Sequence, residues 1–183
     1  MRQRHRIFIA INLPEEVKKK LAEYQRKWPE LPVRWTSPKN IHITLVFLGY
    51  LSNEELVEIC KVAKEVASKN TSFDINLTKI CYGPQDKKPP RMVWAIGEKS
   101  DEFTALKKEL DKSLAVSENR EFSPHITLGR IRQWEWQRIE PEDRPEVEED
   151  INLNFLVESV EIMESVLKRG GAEYNIIESI NLA

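Results

Sequence analysis

The tetrapeptide His-Ile-Thr-Leu occurs twice in the chain, at residues 42–45 and 125–128, and two of the only three histidines open these copies. At average residue usage, a chance repeat of the three residues after a second histidine has odds on the order of 10⁻⁴. Alternate residues of a strand point to the same side. Each copy therefore places its His and Thr on one face and its Ile and Leu on the other. We predict two strands with apolar backs in a core and polar faces left open.

The elements around the two copies follow a similar order of strand, helix and strand. The patterns predict strands at residues 6–13, 33–36, 41–48, 73–81, 92–96 and 125–131, the third ended by Gly49. They predict helices that begin at Pro14, at the Ser52–Glu55 capping box and near Asp101. A closing hairpin of residues 155–167 and 174–180 would turn at Gly170 and Gly171. This order suggests two related halves facing one another within one α+β domain over residues 1–183.

The composition narrows the class of protein. Hydrophobic residues make up 40% of the chain, enough for a buried core, and no apolar run reaches the length of about 18 residues that spans a membrane. Cys60 and Cys81 form no CxxC pair, so we expect a reduced, cytoplasmic protein without disulfides. We also expect a monomer without contact to membranes.

The charge is unevenly distributed along the chain. The net charge of −2 argues against a large unspecific nucleic-acid-binding face. Residues 1–40 nevertheless carry ten Lys or Arg against four Asp or Glu, and residues 141–183 carry three against eleven. A local basic patch could therefore form from Arg2, Arg4, Arg6 and Arg34. The alternative, which charge alone favours, is an ordinary solvated surface.

The paired motifs predict acid–base chemistry at one site. Imidazole titrates near neutral pH, so His42 and His125 can be in opposite protonation states at the same time, as concerted acid and base catalysis requires. The hydroxyls of Thr44 and Thr127 can donate to phosphoryl oxygens on which charge develops. No Asp, Glu or Cys accompanies either histidine at metal-ligand spacing, so we expect no metal or organic cofactor. Ordinary strand pairs, or a metal site made of the two histidines, remain the alternatives.

The two motifs resemble the paired H-x-T-x motifs of the 2H phosphoesterase superfamily, and more narrowly those of the RNA 2′,3′-cyclic phosphodiesterases, also called 2′-5′ RNA ligases. The resemblance extends over nearly the whole chain. It includes segments 6–10, 33–35, 47–49, 90–94, 123–125 and 170–174. It implies a bilobal α+β fold with pseudo-two-fold halves, in which two antiparallel sheets flank a central cleft and helices pack outside.

The resemblance also implies hydrolysis of RNA 2′,3′-cyclic phosphate ends to 2′-phosphomonoesters without metal. By motif order, His42 would donate a proton to the departing O3′ and His125 would activate water, although identical motifs cannot assign the two roles. Thr44 and Thr127 would hold the phosphoryl oxygens. The alternatives are a ligase that joins cyclic phosphate and 5′-hydroxyl ends, for instance of tRNA halves, and a module that binds RNA ends without catalysis.

Two positions after the motifs are further candidates for substrate binding. Arg130 matches a family position that contacts phosphate, but simple alternation puts it on the apolar side of its strand unless Gly129 introduces a bulge. Phe47 occupies the corresponding place after His42 and offers either a stacking surface for a base or, as strand aromatics more often do, a core contact.

The tryptophans leave similar alternatives open. Trp35 and Trp94 either line the cleft or pack in the core. Trp134 and Trp136 belong to the polar, acidic tract 132–150, for which the sequence predicts a long loop, either a lid over RNA or a solvated insertion.

Overall fold

The computed structural model describes residues 4–116, 122–169 and 171–183, so Arg2 and Gly170 lie outside the described residues. Its strands are β1 His5–Asn12, β2 Val33–Trp35, β3 His42–Leu51, β4 Phe73–Gly83, β5 Met92–Gly97, β6 His125–Ile131, β7 Glu148–Val157, β8 Ser159–Lys168 and β9 Gly171–Asn181. Its helices are α1 Glu15–Gln25, α2 Asn53–Ala67, α3 Asp101–Ser113 and α4 Gln133–Trp136, with 3-10 turns at Pro38–Asn40 and Pro141–Asp143. In the part of the chain described, no helix has the length and apolar character needed to cross a membrane.

The strands form two antiparallel sheets, which confirms the predicted α+β class. The first sheet has the order β3-β1-β8-β9, and the second has the order β2-β6-β5-β4-β7. The two motif-bearing strands therefore lie in different sheets, β3 at an edge and β6 next to the short edge strand β2. Strands β3 and β6 nevertheless lie against each other, with Cα atoms within 8 Å. The fold thus brings the two motif strands together across the boundary between the sheets.

Both motif strands are anchored by their apolar backs, as the alternation predicts. Ile43 and Ile126 are fully buried, and Leu45 and Leu128 are at most 1% exposed. Burying a side chain of this size contributes about 1.5–3 kcal/mol relative to leaving it in water. These side chains belong to one continuous core that includes residues of both sheets. The opposite faces of the two strands, with the His and Thr side chains, are only half-buried.

Each motif strand has a β-bulge at the leucine that ends its His-Ile-Thr-Leu copy. In β3, the register against β1 shifts so that Leu45 is the extra residue. In β6, the register against β5 shifts at the equivalent Leu128. A bulge changes which face the following residues occupy. The two halves therefore share a backbone irregularity as well as a tetrapeptide.

Gly49 does not end β3, contrary to the prediction. A second register shift lies beside it, and Gly49 adopts a φ of 78° while the strand continues to Leu51. Glycine at positive φ is a known way to build a bulge inside a ladder. The next prediction is confirmed: Ser52 Oγ accepts from Glu55 N, and Glu55 Oε2 accepts from Ser52 N at 2.7 Å, which closes the capping box of α2.

The tract 132–150 is not the long loop that its composition predicts. It contains α4 and a 3-10 turn, and β7 begins within it at Glu148. Strand β7 buries every second side chain from Ile151 to Val157, and its acidic start hid this alternation. The predicted strand 155–167 is also wrong, because the chain changes sheets at Glu158. The hairpin of β8 and β9 is confirmed, with Lys168 opposite Gly171.

Candidate active site

The first half of the candidate site is the ring of His42 and the groups that orient it. The ring Nδ1 lies 2.7 Å from the Asn40 carbonyl oxygen, and Nε2 lies 2.9 Å from Thr44 Oγ1. A carbonyl oxygen can only accept, so Nδ1 is the protonated nitrogen of the neutral ring. The bond thereby fixes one tautomer and leaves Nε2, beside the threonine hydroxyl, for proton transfer.

Aromatic side chains enclose the His42 ring. Tyr174 meets it edge-on, with ring centroids 5.1 Å apart, and Phe8 lies at the same centroid distance. This burial is the main cause that lowers the pKa of His42 below its usual value. The hydrogen bond to Asn40 acts in the opposite direction, and the charge of the buried Lys18 lowers the pKa further. The surroundings of His42 thus favour the neutral imidazole in the free protein.

The second half repeats the tautomer but not the surroundings. The Nδ1 of His125 lies 3.0 Å from the Ser123 carbonyl oxygen, again two residues earlier in the chain, so Nε2 again faces away from the backbone bond. The ring stacks on Trp94, with centroids 4.2 Å apart and planes inclined by 30°. Thr127 Oγ1 points toward the sulfur of Met92 at 3.8 Å instead of toward the histidine. The two histidines therefore present equivalent nitrogens in different environments.

A short connection joins the two halves. Strand β2 pairs with β6, and Thr36 N donates to the Leu128 carbonyl at 2.8 Å. Gln25 Nε2 of α1 donates to the carbonyls of both Thr36 and Leu128, at 2.9 and 3.0 Å. Six residues after Thr36, the chain has left the second sheet and entered β3 at His42. This segment, residues 36–41, is called the crossing segment below.

The structure resolves the orientation of Arg130. Because the bulge adds Leu128, both Leu128 and Gly129 are buried and Arg130 is exposed, on the side of the strand that carries His125 and Thr127. Arg130 Nη1 lies 3.9 Å from the sulfur of Met92, the atom that Thr127 also approaches. Gly129 fits this strand because a Cβ there would overlap Val33.

Phe47 is not a core aromatic. The equivalent bulge in β3 turns it outward, and 69% of its surface is exposed. It keeps one ring contact, to Phe8 with centroids 6.1 Å apart, and Phe8 in turn contacts His42. Each motif is therefore followed, two residues after its leucine, by an outward side chain, which is aromatic in β3 and cationic in β6.

Two neighbouring cavities adjoin the candidate site. A small one of about 200 Å³ is lined by His42 together with Asn12, Lys18 and Met163 among others. A larger groove of about 450 Å³ is lined by residues of β2, of the crossing segment and of the β8–β9 hairpin, and by Arg130. Lys39, Asn40 and Tyr174 line both. The groove, called the β2–β9 groove below, therefore shares part of its wall with the cavity beside His42.

The remaining candidates fall into two groups. Trp94 lies against His125 and Trp35 lines the β2–β9 groove, so both adjoin the candidate site. Trp136 is buried against Tyr82 and belongs to the core, so the segment around it is packed structure and not a lid. Trp134 is exposed, with the Arg138 guanidinium 4.4 Å from its ring centroid.

The predicted basic patch divides in the same way. Arg34 lines the β2–β9 groove, whereas Arg4 and Arg6 are exposed around the start of β1.

Burial raises the pKa of Cys60 to about 11 and also raises that of Cys81, so both thiols stay protonated and are poor nucleophiles. Within residues 4–116, 122–169 and 171–183, no three His, Cys, Asp or Glu side chains cluster as metal ligands do.

Sequence reasoning missed three residues that surround His42. Tyr174 encloses its ring, the carbonyl of Asn40 orients it, and the buried Lys18 charge acts on its pKa. Tyr174 lies in a segment that contributes to the family resemblance, which was its only signal. Lys18 had none, because a lysine in an amphipathic helix usually faces water.

Comparison with known proteins places this geometry in a family. The model of the LigT like phosphoesterase family matches residues 11–94, which include the first motif. The chain is 31% identical to an RNA 2′,3′-cyclic phosphodiesterase of Thermotoga maritima over 94% of this chain and 92% of that protein. It is 28% identical to one of Methanocaldococcus jannaschii, over 94% of this chain and 98% of that protein.

A solved structure agrees over the whole fold. The crystal structure of TT0787 of Thermus thermophilus superposes with a TM-score of 0.82, at 29% identity and over 97% of both chains. The likeness in sequence covers both motifs and nearly the full length, and the likeness in fold covers both sheets. The chain therefore belongs to the LigT like phosphoesterase family of the 2H superfamily, together with the RNA 2′,3′-cyclic phosphodiesterases.

Proposed function

We propose that this protein hydrolyses 2′,3′-cyclic phosphate ends of RNA to 2′-phosphomonoesters, with His42 and His125 as its acid–base pair. The name of its relatives supports the reaction. The observation that carries the assignment is the repeated orientation of the two rings. Each histidine binds a carbonyl two residues earlier through Nδ1 and offers Nε2, on two strands that contact each other.

The proposed step is a displacement at phosphorus. Water attacks the phosphorus atom while His125 Nε2 takes its proton, and the bond between phosphorus and O3′ breaks. His42 Nε2 gives a proton to O3′, so the product carries a 3′-hydroxyl and a 2′-phosphate. Hydroxyl donors stabilise the oxygens on which charge develops. We assign this role to Thr44 and Thr127 and add the Arg130 guanidinium as a charged donor.

The lowered pKa of His42 bears on the role of acid. Burial makes the imidazolium costly in the free protein, so His42 would be mostly neutral before substrate binds. A phosphate anion held beside the ring favours the charged form and raises the pKa again. His42 would then gain its proton together with the substrate, which links protonation to occupancy of the site.

The substrate class and the setting complete the proposal. Exposed Phe47 provides a face on which the terminal base can stack. We propose RNA with 2′,3′-cyclic phosphate ends or 2′-5′ linkages as substrate, tRNA fragments included, and one catalytic domain made of two lobes. The two free thiols support a reducing compartment such as the cytoplasm.

The test is turnover of an RNA oligonucleotide with a 2′,3′-cyclic phosphate end in excess chelator, with the product identified by phosphorus NMR. We expect a 2′-phosphomonoester as product and full activity in the chelator. A 3′-phosphomonoester would contradict the leaving group, and loss of activity in the chelator would contradict the metal-free mechanism.

The same preparation separates the alternatives. A 2′-5′ linked dinucleotide should be cleaved more slowly than the cyclic phosphate is hydrolysed if hydrolysis is the main activity. Net joining of cyclic phosphate and 5′-hydroxyl ends at a higher rate would favour the ligase. Binding of a 2′-phosphomonoester without any turnover would favour a binding module.

A further inference from the structure

The β2–β9 groove extends beyond the atoms that the proposed reaction uses. Its lining includes four cationic side chains and one carboxylate, together with two aromatic rings: Arg34, Lys39, Arg130, Lys168, Glu173, Trp35 and Tyr174. Glu173 Oε1 accepts from Lys39 Nζ at 3.1 Å, and its other oxygen pairs with Lys168. One carboxylate therefore serves two ammonium groups, and the groove keeps a positive balance.

Two arginines face this groove from neighbouring strands. Arg34 of β2 is directly opposite Arg130 of β6 in the antiparallel register, and both are exposed. Residues directly opposite each other lie on the same face, with Cβ atoms about 4.5–5.5 Å apart. Directly opposed like charges disfavour strand pairing, and a bound anion reverses that effect. The ladder thus provides two adjacent positions for negatively charged groups.

The backbone near Arg34 leaves room for its guanidinium. A Cβ at Gly171 would overlap Arg34 Nη2, so the guanidinium in its present position lies directly against the start of β9. Gly171 also has a φ of 124°, which other residues rarely adopt. Asn40 Nδ2 donates to the neighbouring Ala172 carbonyl at 2.8 Å and ties the start of β9 to the crossing segment.

We propose that Arg34 binds the phosphodiester immediately 5′ of the terminal nucleotide, so that the β2–β9 groove is a subsite for the upstream RNA strand. This inference depends on the proposed function, which places the cyclic phosphate beside Arg130. Arg34, directly opposite Arg130 in the ladder, would then bind the next phosphate of the same RNA strand. The rings of Trp35 and Tyr174 line the path of the upstream nucleotide, and cations interleaved with aromatics are typical of single-strand binding.

The test compares two substrates with the same reacting end. One is a nucleoside 2′,3′-cyclic phosphate with a free 5′-hydroxyl, and the other is the dinucleotide that ends in it. A charge-assisted hydrogen bond contributes enough that Arg34→Gln should lower kcat/KM for the dinucleotide about tenfold and for the mononucleotide by less than about twofold. Arg26→Gln, a change of an exposed arginine outside the groove, is the matched control and should affect neither substrate.

A second measurement keeps the protein intact. A dinucleotide with an uncharged methylphosphonate linkage lacks the charge that Arg34 would bind. Wild type should turn it over about tenfold less efficiently than the natural dinucleotide, and Arg34→Gln should cause no further loss on it. Losing one phosphate contact should also weaken the dependence of log kcat/KM on log salt by about 0.7.

The possible failures point to different errors. No turnover of either substrate by wild type would refute the proposed function itself. Equal losses on both substrates would place Arg34 at the reacting phosphate and overturn the subsite. Equal turnover of the charged and uncharged dinucleotides by wild type would overturn it as well, whether or not the Arg34 variant folds.

Discussion

The His42 half and the His125 half of the site share a backbone but differ in what surrounds the ring. Both copies fix Nδ1 on a carbonyl two residues earlier, and both strands bulge at the leucine. Aromatic rings enclose His42, and its Nε2 meets the hydroxyl of Thr44. His125 stacks on Trp94 and also contacts Phe122, with ring centroids 5.8 Å apart, and Thr127 turns toward a methionine sulfur. The shared backbone gives both rings the same tautomer and orientation, whereas burial lowers the pKa of His42 below its usual value.

The comparison first predicts that neither half works alone. His42→Ala and His125→Ala should each lower kcat by about 10²–10⁴-fold, because each removes one proton transfer. The double variant should lose only slightly more activity than the worse of the two single variants, since acid and base act in the same step. Turnover of the cyclic phosphate measures this.

His5 provides the control for these variants. It is the third histidine, and it bonds Glu164 at 2.6 Å and Asn53 at 3.0 Å. His5→Ala should keep kcat near the wild-type value. Most activity surviving in either motif variant would refute the paired site.

The second prediction concerns Arg130, the cationic side chain that follows the motif in β6. Arg130→Gln should lower kcat/KM by about 10–100-fold, the loss expected for a charged hydrogen bond to phosphate. The loss should be equal for mononucleotide and dinucleotide substrates, unlike that of Arg34→Gln. Arg132→Gln, two residues on and paired with Glu135 at 3.2 Å, is the control. A loss confined to the longer substrate would move Arg130 away from the reacting phosphate.

The third prediction concerns Phe47, the aromatic side chain that follows the motif in β3. Phe47→Ala should raise KM about tenfold with kcat nearly unchanged, because stacking holds the base in both ground and transition states. Its melting temperature should hardly change, since the side chain is mostly exposed. Tyr50→Ala, which removes another exposed aromatic of the same strand, should leave KM unaltered. A large fall in stability with unchanged KM would make Phe47 a packing residue.

The smallest expected effect concerns the pKa of His42. Lys18 lowers that pKa by its positive charge, so Lys18→Met should raise it, while burial keeps it below the ordinary value. Proton NMR titration of the His42 ring measures the change, and exposed Lys19→Met is the control on the same helix. A lower pKa in the Lys18 variant would contradict this account.

The same shift has a kinetic consequence. One ring must be charged and the other neutral, so kcat/KM should follow a bell against pH. The lower of the two pKa values sets the acidic limb, and the pKa of His42 is lowered, so this limb should lie below about 6.5. A rate that rises steadily from about pH 5 to pH 9 would exclude paired-histidine catalysis.

The sequence predicted what depends on short-range periodicity. Alternation correctly placed His42 and His125 on open faces, and the capping box located the start of α2. Alternation gave the wrong face where one extra residue in a strand turns the following side chains to the opposite side. The bulge at Leu45 exposes Phe47, and because Val46 follows Leu45 where Gly129 follows Leu128, the bulge does not require a glycine.

Other features depend on contacts between distant segments. Tyr174 reaches His42 because β9 returns beside the crossing segment, and no local pattern encodes that approach. Strand β7 was not predicted because it begins with acidic residues, and such a run is typical of a solvated loop. Lys18 was not predicted because α1 places this charged residue on its buried face, beside the candidate site.

The crossing segment has a consequence for how the enzyme can be altered. Residues 36–41 leave β2, which is bonded to the strand of one motif, and enter the strand of the other motif directly. A covalent connection of six residues therefore limits how far apart the two motif strands can lie. We expect that lengthening this connection by one residue would change the spacing of the two motifs and lower turnover of the proposed substrate.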